Sequence, residues 1–274
     1  MRPFSALPTG DRSVAAQTYL ETVSRHPRTA ELRDLALEAL PLTEGESVLE
    51  VGCGLGEMAR RLARRTGPRG RVTAVDHDPA MVAAARHRHD SAPGAAGVDY
   101  RVEDACRLTF TSGEFDVVWC ERVLQHVPDP GRAVREMCRV TAPGGRVCVL
   151  DVDWRSLRVD GVGQEIAGPV LTSFASIVPG PDVAGRVPGL IAAAGFDQVW
   201  SRQFTATFAS LAEAKPIIPL FDRTSPLAAR HGDGSLDTWF DLLDAADARN
   251  ELVISLSTWI TIGTRPSTTD RPRV

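Results

Sequence analysis

Three glycines spaced two apart, with one acid before them and another well beyond, are the residues of this chain most suited to holding a nucleoside. Gly52, Gly54 and Gly56 form G-x-G-x-G around Cys53, directly after the apolar run Ser47 to Val51 and before the helix-like run Glu57 to Arg65. Glycine adopts left-handed backbone without a Cβ clash, so such a turn lets a ligand approach the main chain. A second apolar run, Val72 to Val75, ends in Asp76. A carboxylate there can accept hydrogen bonds from both hydroxyls of a ribose.

The acids around the turn select among nucleoside cofactors. The dinucleotide fingerprint places a third glycine where this chain has Glu57. An acid in the first helical turn repels a pyrophosphate, whereas a ligand with a sulfonium and an ammonium suffers no such repulsion. Glu50, in the strand before the glycines, adds a second acid. Together they fit S-adenosylmethionine (SAM) better than NAD. Glu57 can equally be an acid favoured by the helix macrodipole, with the turn purely structural.

The segment Pro41 to Leu150 resembles the class I SAM-dependent methyltransferases, especially the branch acting on quinones and other small molecules. Glu50 with Gly52, Cys53, Gly54 and Gly56 matches the first family motif, Asp76 in A-V-D-H-D-P-A-M the ribose acid, and Asp104 in V-E-D-A the adenine-side acid. The run Phe115 to Cys120 followed by E-R-V-L-Q-H-V-P-D-P resembles the fourth strand and its loop. R-A-V-R-E-M-C-R-V-T-A-P-G-G-R-V resembles the approach to the fifth. The resemblance implies a Rossmann-like doubly wound sheet of seven strands, the last antiparallel, with helical lid insertions. It implies a cofactor site of Glu50, Gly52, Cys53, Gly54, Gly56, Asp76, His77, Met81, Asp104, Ala105, Cys120, Glu121 and Arg122. Tyr19 joins them if an N-terminal helix folds over the cofactor's carboxylate; its other reading is packing in the lid.

The elements that must position these residues follow from patterning. Apolar strands at 47–51, 72–76, 98–103, 115–120 and 146–152 alternate with helices at 57–65, 79–89 and 131–140, which argues a parallel sheet covered on both faces. Pro143-Gly144-Gly145 is the expected break between helix and strand. Two helices, Ser13 to Arg25 and Ala30 to Leu40, precede the series; a helix at 183–194, a strand at 198–208, a helix at 236–248 and a strand at 252–262 follow it. The expected organisation is one domain over 1–264. It comprises an N-terminal lid (1–44), a cofactor core (45–152), the remaining sheet (153–264) with substrate caps near 154–181 and 209–250, and a disordered tail from 265 to 274. Trp154, Phe174, Phe221 and Trp239 give the caps apolar bulk, as substrate lining or as ordinary packing.

At 274 residues and a formal charge of -4, the chain can bury a sizeable core and has no global attraction to nucleic acid. Arg60, Arg61, Arg64, Arg65, Arg69 and Arg71 cluster locally and read as a solvated face. No apolar run approaches the roughly 20 residues needed to span a bilayer, and no signal-peptide core opens the chain; a cytoplasmic location with no membrane partner is expected. Cys53, Cys106, Cys120, Cys138 and Cys148 form no C-x-x-C pair and read as free thiols. His87 and His89, two apart on a helix, point to different sides, so no metal is expected.

A methyl group on a sulfonium needs a nucleophile held in line and shielded from water. A phenol, alcohol or acidic carbon must also lose a proton. His126 is the candidate base, because its loop follows the C-terminal end of the fourth strand, where open parallel sheets bind ligands; it can instead only order that loop. Arg122, Asp151, Asp153 and His231 are secondary candidates. The expected function is SAM-dependent O- or C-methylation of a small, largely apolar metabolite. A SAM-binding cyclase or isomerase is the alternative, and an NAD-dependent oxidoreductase is less favoured.

Overall fold

The computed structural model describes residues 9–91, 97–224 and 235–267. Its framework is a seven-stranded sheet. Parallel strands β1 (Ser47–Val51), β2 (Arg71–Asp76), β3 (Val98–Val102), β4 (Phe115–Glu121) and β5 (Thr141–Asp160) are joined by β6 (Asp197–Phe208) and β7 (Val253–Thr264) in the order β3-β2-β1-β4-β5-β7-β6. β7 lies antiparallel between β5 and β6.

Strand side chains alternate between faces, and two separate cores result. Leu49, Val51, Val118 and Cys120 pack under α5 (Pro130–Val140) and α7 (Val183–Ala193). Val48, Ala74, Val117 and Trp119 pack under α2 (Pro27–Ala39), α3 (Glu57–Thr66) and α4 (Pro79–Asp90). Glu50 pairs with Trp119 across β1 and β4. Both α4 and α5 start at an Asp-Pro pair. Asp78 accepts the Ala80 N–H at 2.8 Å and Asp129 accepts that of Arg132 at 2.8 Å, while each proline fits a first turn that needs no donor. Arg61 of the basic cluster pairs with Asp34, and Arg69 with Glu44 at 3.3 Å.

A third core sits above the C-terminal edge of the sheet, where α6 (Gln164–Ile177), α8 (Leu211–Ala214) and α9 (Ser235–Ala248) pack on the far ends of β5 and β7. Trp154, Phe174, Phe221 and Trp239 are all buried within it. This layer corrects the expected end of the fifth strand. β5 does not stop at Val152 but bulges between Asp153 and Arg158 and pairs with β7 as far as Asp160. The first quarter of the expected 154–181 insertion, as far as Asp160, is therefore strand.

The start of β5 differs too. Pro143-Gly144-Gly145 lies inside the strand as a looped-out bulge, with register passing from Phe115–Thr141 to Val117–Arg146. Arg265 closes that bulge: it accepts the Gly144 N–H at 2.9 Å, donates its own N–H to Gly145 at 2.8 Å, and its guanidinium reaches the carbonyls of Arg139 and Thr141. The tail expected from 265 thus begins with an anchored residue; 268–274 lie outside the described residues. Among the described residues no helix is long and apolar enough to cross a membrane.

β7 meets α7 at Gly263, where an added Cβ would lie 2.4 Å from Cγ2 of the fully buried Ile191. Gly263→Ala should therefore destabilise the fold by about 1–3 kcal/mol, the usual cost of overpacking. Urea denaturation checks it, and the double variant with Ile191→Ala should lose less than the sum of the two single losses, because the truncation removes the atom that the new Cβ strikes.

Candidate active site

The glycine turn is left-handed at all three positions, with φ of 79° at Gly52, 49° at Gly54 and 72° at Gly56. Different neighbours enforce it. A Cβ on Gly52 would strike Val123 at 2.1 Å, and one on Gly56 would strike the Tyr100 hydroxyl at 2.6 Å. Gly54 has only Leu20 of α1 (Thr9–Arg25) within reach, at 3.4 Å. Gly52, Cys53 and Gly54 line a cavity of about 110 Å³ with Glu50, Glu57, Glu121, Arg122, Arg33 and Leu20. Gly56, expected in the site, does not line it; its missing side chain makes room for Tyr100.

Buried charge dominates this small cavity. Glu121, at the end of β4, receives the Nε–H of Arg33 on both carboxylate oxygens, at 2.8 and 3.1 Å. Arg33 is only 8% exposed and also donates to Ser24 Oγ at 2.8 Å, tying α1 and α2 to the sheet edge. Burial drives the Glu121 carboxyl up, but Arg33 and then Arg122 hold it below the usual carboxylate range. Glu50 has no such partner: burial, reinforced by the Glu121 charge, lifts its carboxyl to about 8, and its Oε2 is buried without a hydrogen bond. An orphaned acid oxygen invites a cationic donor. The ammonium of the SAM methionyl group matches this unpartnered oxygen of Glu50, so the residues fit the cofactor.

Asp76 lies outside the small cavity. It accepts the Gly54 N–H at 2.9 Å and the Asp78 N–H at 3.0 Å, with His77 Nδ1 at 3.3 Å. Burial works to raise its carboxyl, but the hydrogen bonds from His77, Asp78 and Gly54 prevail and lower it. It stays ionised, and each oxygen keeps acceptor capacity for a ribose hydroxyl. Asp104 follows β3 and is exposed; one oxygen accepts the Cys106 N–H at 2.8 Å. His77, Met81, Asp104 and Ala105 line neither cavity.

A second, larger cavity of about 690 Å³ opens beside the first, and Leu20, Glu121 and Arg122 form walls of both. Its other walls are largely apolar, with Val152, Trp154, Phe174, Phe208 and Leu256 among them. His126 lines it, in a short 3-10 turn, Leu124–His126. Burial first, then the nearby positive charge of Arg122, lowers the imidazole pKa to about 4. Asp151 fixes that turn by accepting the N–H groups of Leu124 at 2.8 Å and Gln125 at 3.3 Å, while burial pushes its carboxyl up to about 7. Lys215, the single lysine of the chain, also lines the cavity.

Several expected placements are corrected. Cys120 faces the α5 and α7 core, because one step along β4 from Glu121 reverses the face; its thiol reaches neither cavity. Tyr19 lines the large cavity and donates to the Ile217 carbonyl at 3.1 Å, so its hydroxyl bridges to the cap. Asp151 is 1% exposed and serves the loop backbone; Asp153 accepts the Arg155 N–H at 3.1 Å. His231 lies outside the described residues. The residue missed was Arg33. The buried face of α2 runs through Thr29, Arg33, Ala36 and Leu37, and a charge in a helical apolar stripe was the available signal.

An open sheet switching direction beside a glycine turn, with an acid at the end of β2 and a buried acid before the turn, defines the class I SAM-binding methyltransferase fold. Residues 49–149 match the sequence profile of the methyltransferase domain family. Residues 49–149 thus form a methyltransferase domain of the SAM-dependent class, whose cofactor is SAM. It is 29% identical over 211 residues to methyltransferase GfsG of Streptomyces halstedii, covering 76% of this chain and 72% of that one. It is 34% identical over 131 residues to the 27-O-demethylrifamycin SV methyltransferase of Amycolatopsis mediterranei, covering 48% and 47%. The crystal structure of the [4+2]-cyclase SpnF has the same fold, with a TM-score of 0.57 at 23% identity over 87% of this chain and 81% of that one. This chain spans about half the length of most of the curated relatives it matches.

Two titrations test the site. Burial lifts the Glu50 carboxyl from about 4.5 in water to about 8 in the fold, so the folded state holds the proton more tightly. Its contribution is full below about pH 4.5 and is lost as pH rises toward 8, by several kcal/mol at about 1.4 kcal/mol per unit. In urea without SAM, wild type should lose stability across this window relative to Glu50→Gln; parallel curves would count against a buried, protonated Glu50. The His126 imidazole, followed by NMR in histidine-labelled protein, should titrate near pH 4. A midpoint near 6.5 would place it in contact with bulk water.

Proposed function

We propose that the protein transfers the SAM methyl group to an oxygen or carbon of a small, largely apolar molecule held in the 690 Å³ cavity. The observation that carries this reading is the shared wall. A small, charged cavity and a large apolar one meet at Leu20, Glu121 and Arg122, as they must where a cofactor end faces an acceptor. When bound, SAM supplies an electrophilic methyl carbon on a sulfonium.

The chain's residues have three tasks. Asp76 receives the ribose hydroxyls, and Asp104 lies on the adenine side. Glu50 receives the ammonium, with Arg33 near the carboxylate. The apolar walls and the α1 roof exclude water and hold the acceptor in line, which accounts for most of the acceleration such a transfer needs. His126 is neutral at physiological pH and stands where an acceptor proton would be taken. With its pKa held so low it is a weak base, so it suits an acceptor that is already acidic. GfsG and the rifamycin enzyme, both named as methyltransferases, support transfer over cyclisation.

SAM and S-adenosylhomocysteine should raise the melting temperature while NAD and NADP leave it unchanged, since a ligand stabilises only the state it binds. Labelled SAM with candidate metabolites should then yield S-adenosylhomocysteine and a product heavier by one methyl. A product of unchanged mass with SAM intact would favour the cyclase reading.

A further inference from the structure

Arg122 sits on the wall common to both cavities in a conformation that its sequence does not favour. Its φ is 55°, left-handed for a residue with a long side chain, and its N–H is held by the Leu150 carbonyl at 2.7 Å. Such backbone is strained for a residue with a Cβ and persists where the surroundings demand it. The guanidinium is only loosely paired with a carboxylate. Glu121 already takes both close bonds from Arg33, and Arg122 approaches it only to 3.5 Å, with its Nε buried and without a hydrogen-bond partner. Tyr19 from α1, Glu121 from β4, Asp151 from β5 and His126 all lie within its field. The surplus positive charge of the shared wall is therefore at Arg122.

We propose that Arg122 receives the acceptor as an oxyanion, so that this enzyme selects an ionisable hydroxyl, a phenol or an enol, carried on an apolar skeleton. This rests on the methyltransferase reading above. The acceptor O–H bond breaks with its electron pair left on oxygen, the proton passes to bulk water, and the anion enters beside the guanidinium. His126 then needs to take no proton and keeps the neutral form its surroundings impose. A phenolate or enolate shares its charge between oxygen and carbon, so one binding mode serves O- and C-methylation. Arg28, paired with Glu31 at 3.1 Å, and Lys215 are the other cations lining the large cavity, and neither lines the small one.

The probe is an ortho-nitrophenol with a para octyl chain, whose phenolate absorbs in the visible, titrated with saturating protein against pH. Wild type should lower the apparent pKa of the bound phenol by at least about one unit, a tenfold preference for the anion. Arg122→Asn, a residue tolerant of left-handed backbone, should abolish the drop, and Arg122→Lys should retain much of it. The same drop in Arg122→Asn, its loss in Lys215→Met instead, or failure of the phenol to bind wild type would each overturn the proposal. SAM binding is measured separately by calorimetry on the same variants. Wild type that lowers the phenol pKa but binds no SAM would fail the methyltransferase reading alone. Arg122→Asn that loses SAM affinity while the phenol pKa stays low would make Arg122 a cofactor residue and overturn the oxyanion role.

Discussion

Two carboxylates on one face of the sheet, the buried Glu50 and Glu121 with its side chain almost covered, lie within reach of each other's charge, and the rest of the site depends on how that repulsion is resolved. Leaving both ionised without compensation is costly in a low dielectric. Arg33 neutralises one of them through two hydrogen bonds, and Glu50 keeps its proton. The first remedy requires α2 to lie against the end of β4, and the bond from Arg33 to Ser24 brings α1 with it. The N-terminal helices are thus held over the glycine turn by electrostatics as well as by packing. The second leaves a polar atom with no partner, an arrangement that a cationic ligand completes.

Strand alternation accounts for what the two cavities contain. Glu50 shares its face of the sheet with Trp119, while Val51 and Cys120 share the opposite one with α5 and α7. A single-residue slip would have placed a thiol at the cofactor and two carboxylates in a hydrocarbon core. The upper cavity exists because β5 and β7 continue past the sheet edge as a pair, giving α6, α8 and α9 a floor to pack on. The bulge after Asp153 turns that extension, and Trp154 within it donates from Nε1 to Gln125, next to His126.

The sheet and its glycine turn were legible because their signals are local: apolar runs of strand length, glycines where φ is positive, and Asp-Pro pairs at helix starts. The alternation of helix and strand announced the parallel core. What escaped were long-range choices. Nothing local shows that Arg158 to Asp160 pairs with Val253 to Ser255, since that pairing is decided by residues about a hundred positions away. Pro143-Gly144-Gly145 signals a break, yet Arg265 turns it into a bulge that the strand runs through. Glu121 was placed at the site by its motif, whereas Arg33 was missed although a charge in the apolar stripe of α2 marks it, and nothing local shows that the two pair. Cys120 was assigned by position in a motif, and side-chain direction decided otherwise.

Leu20 walls both cavities, Tyr19 bonds to the cap, and Glu21 pairs with Arg88 of α4, so three successive residues of α1 hold three parts of the protein together. Exchange of a ligand in either cavity disturbs the same helical turn. A molecule that stiffens that turn from one side changes the entropy its counterpart must still lose on the other, and linkage requires the effect to be equal in both directions. The two occupants are then thermodynamically coupled even where they share no atom-to-atom contact. The quantity that describes the pair is the coupling free energy that closes the four-state cycle, which neither dissociation constant measured alone contains.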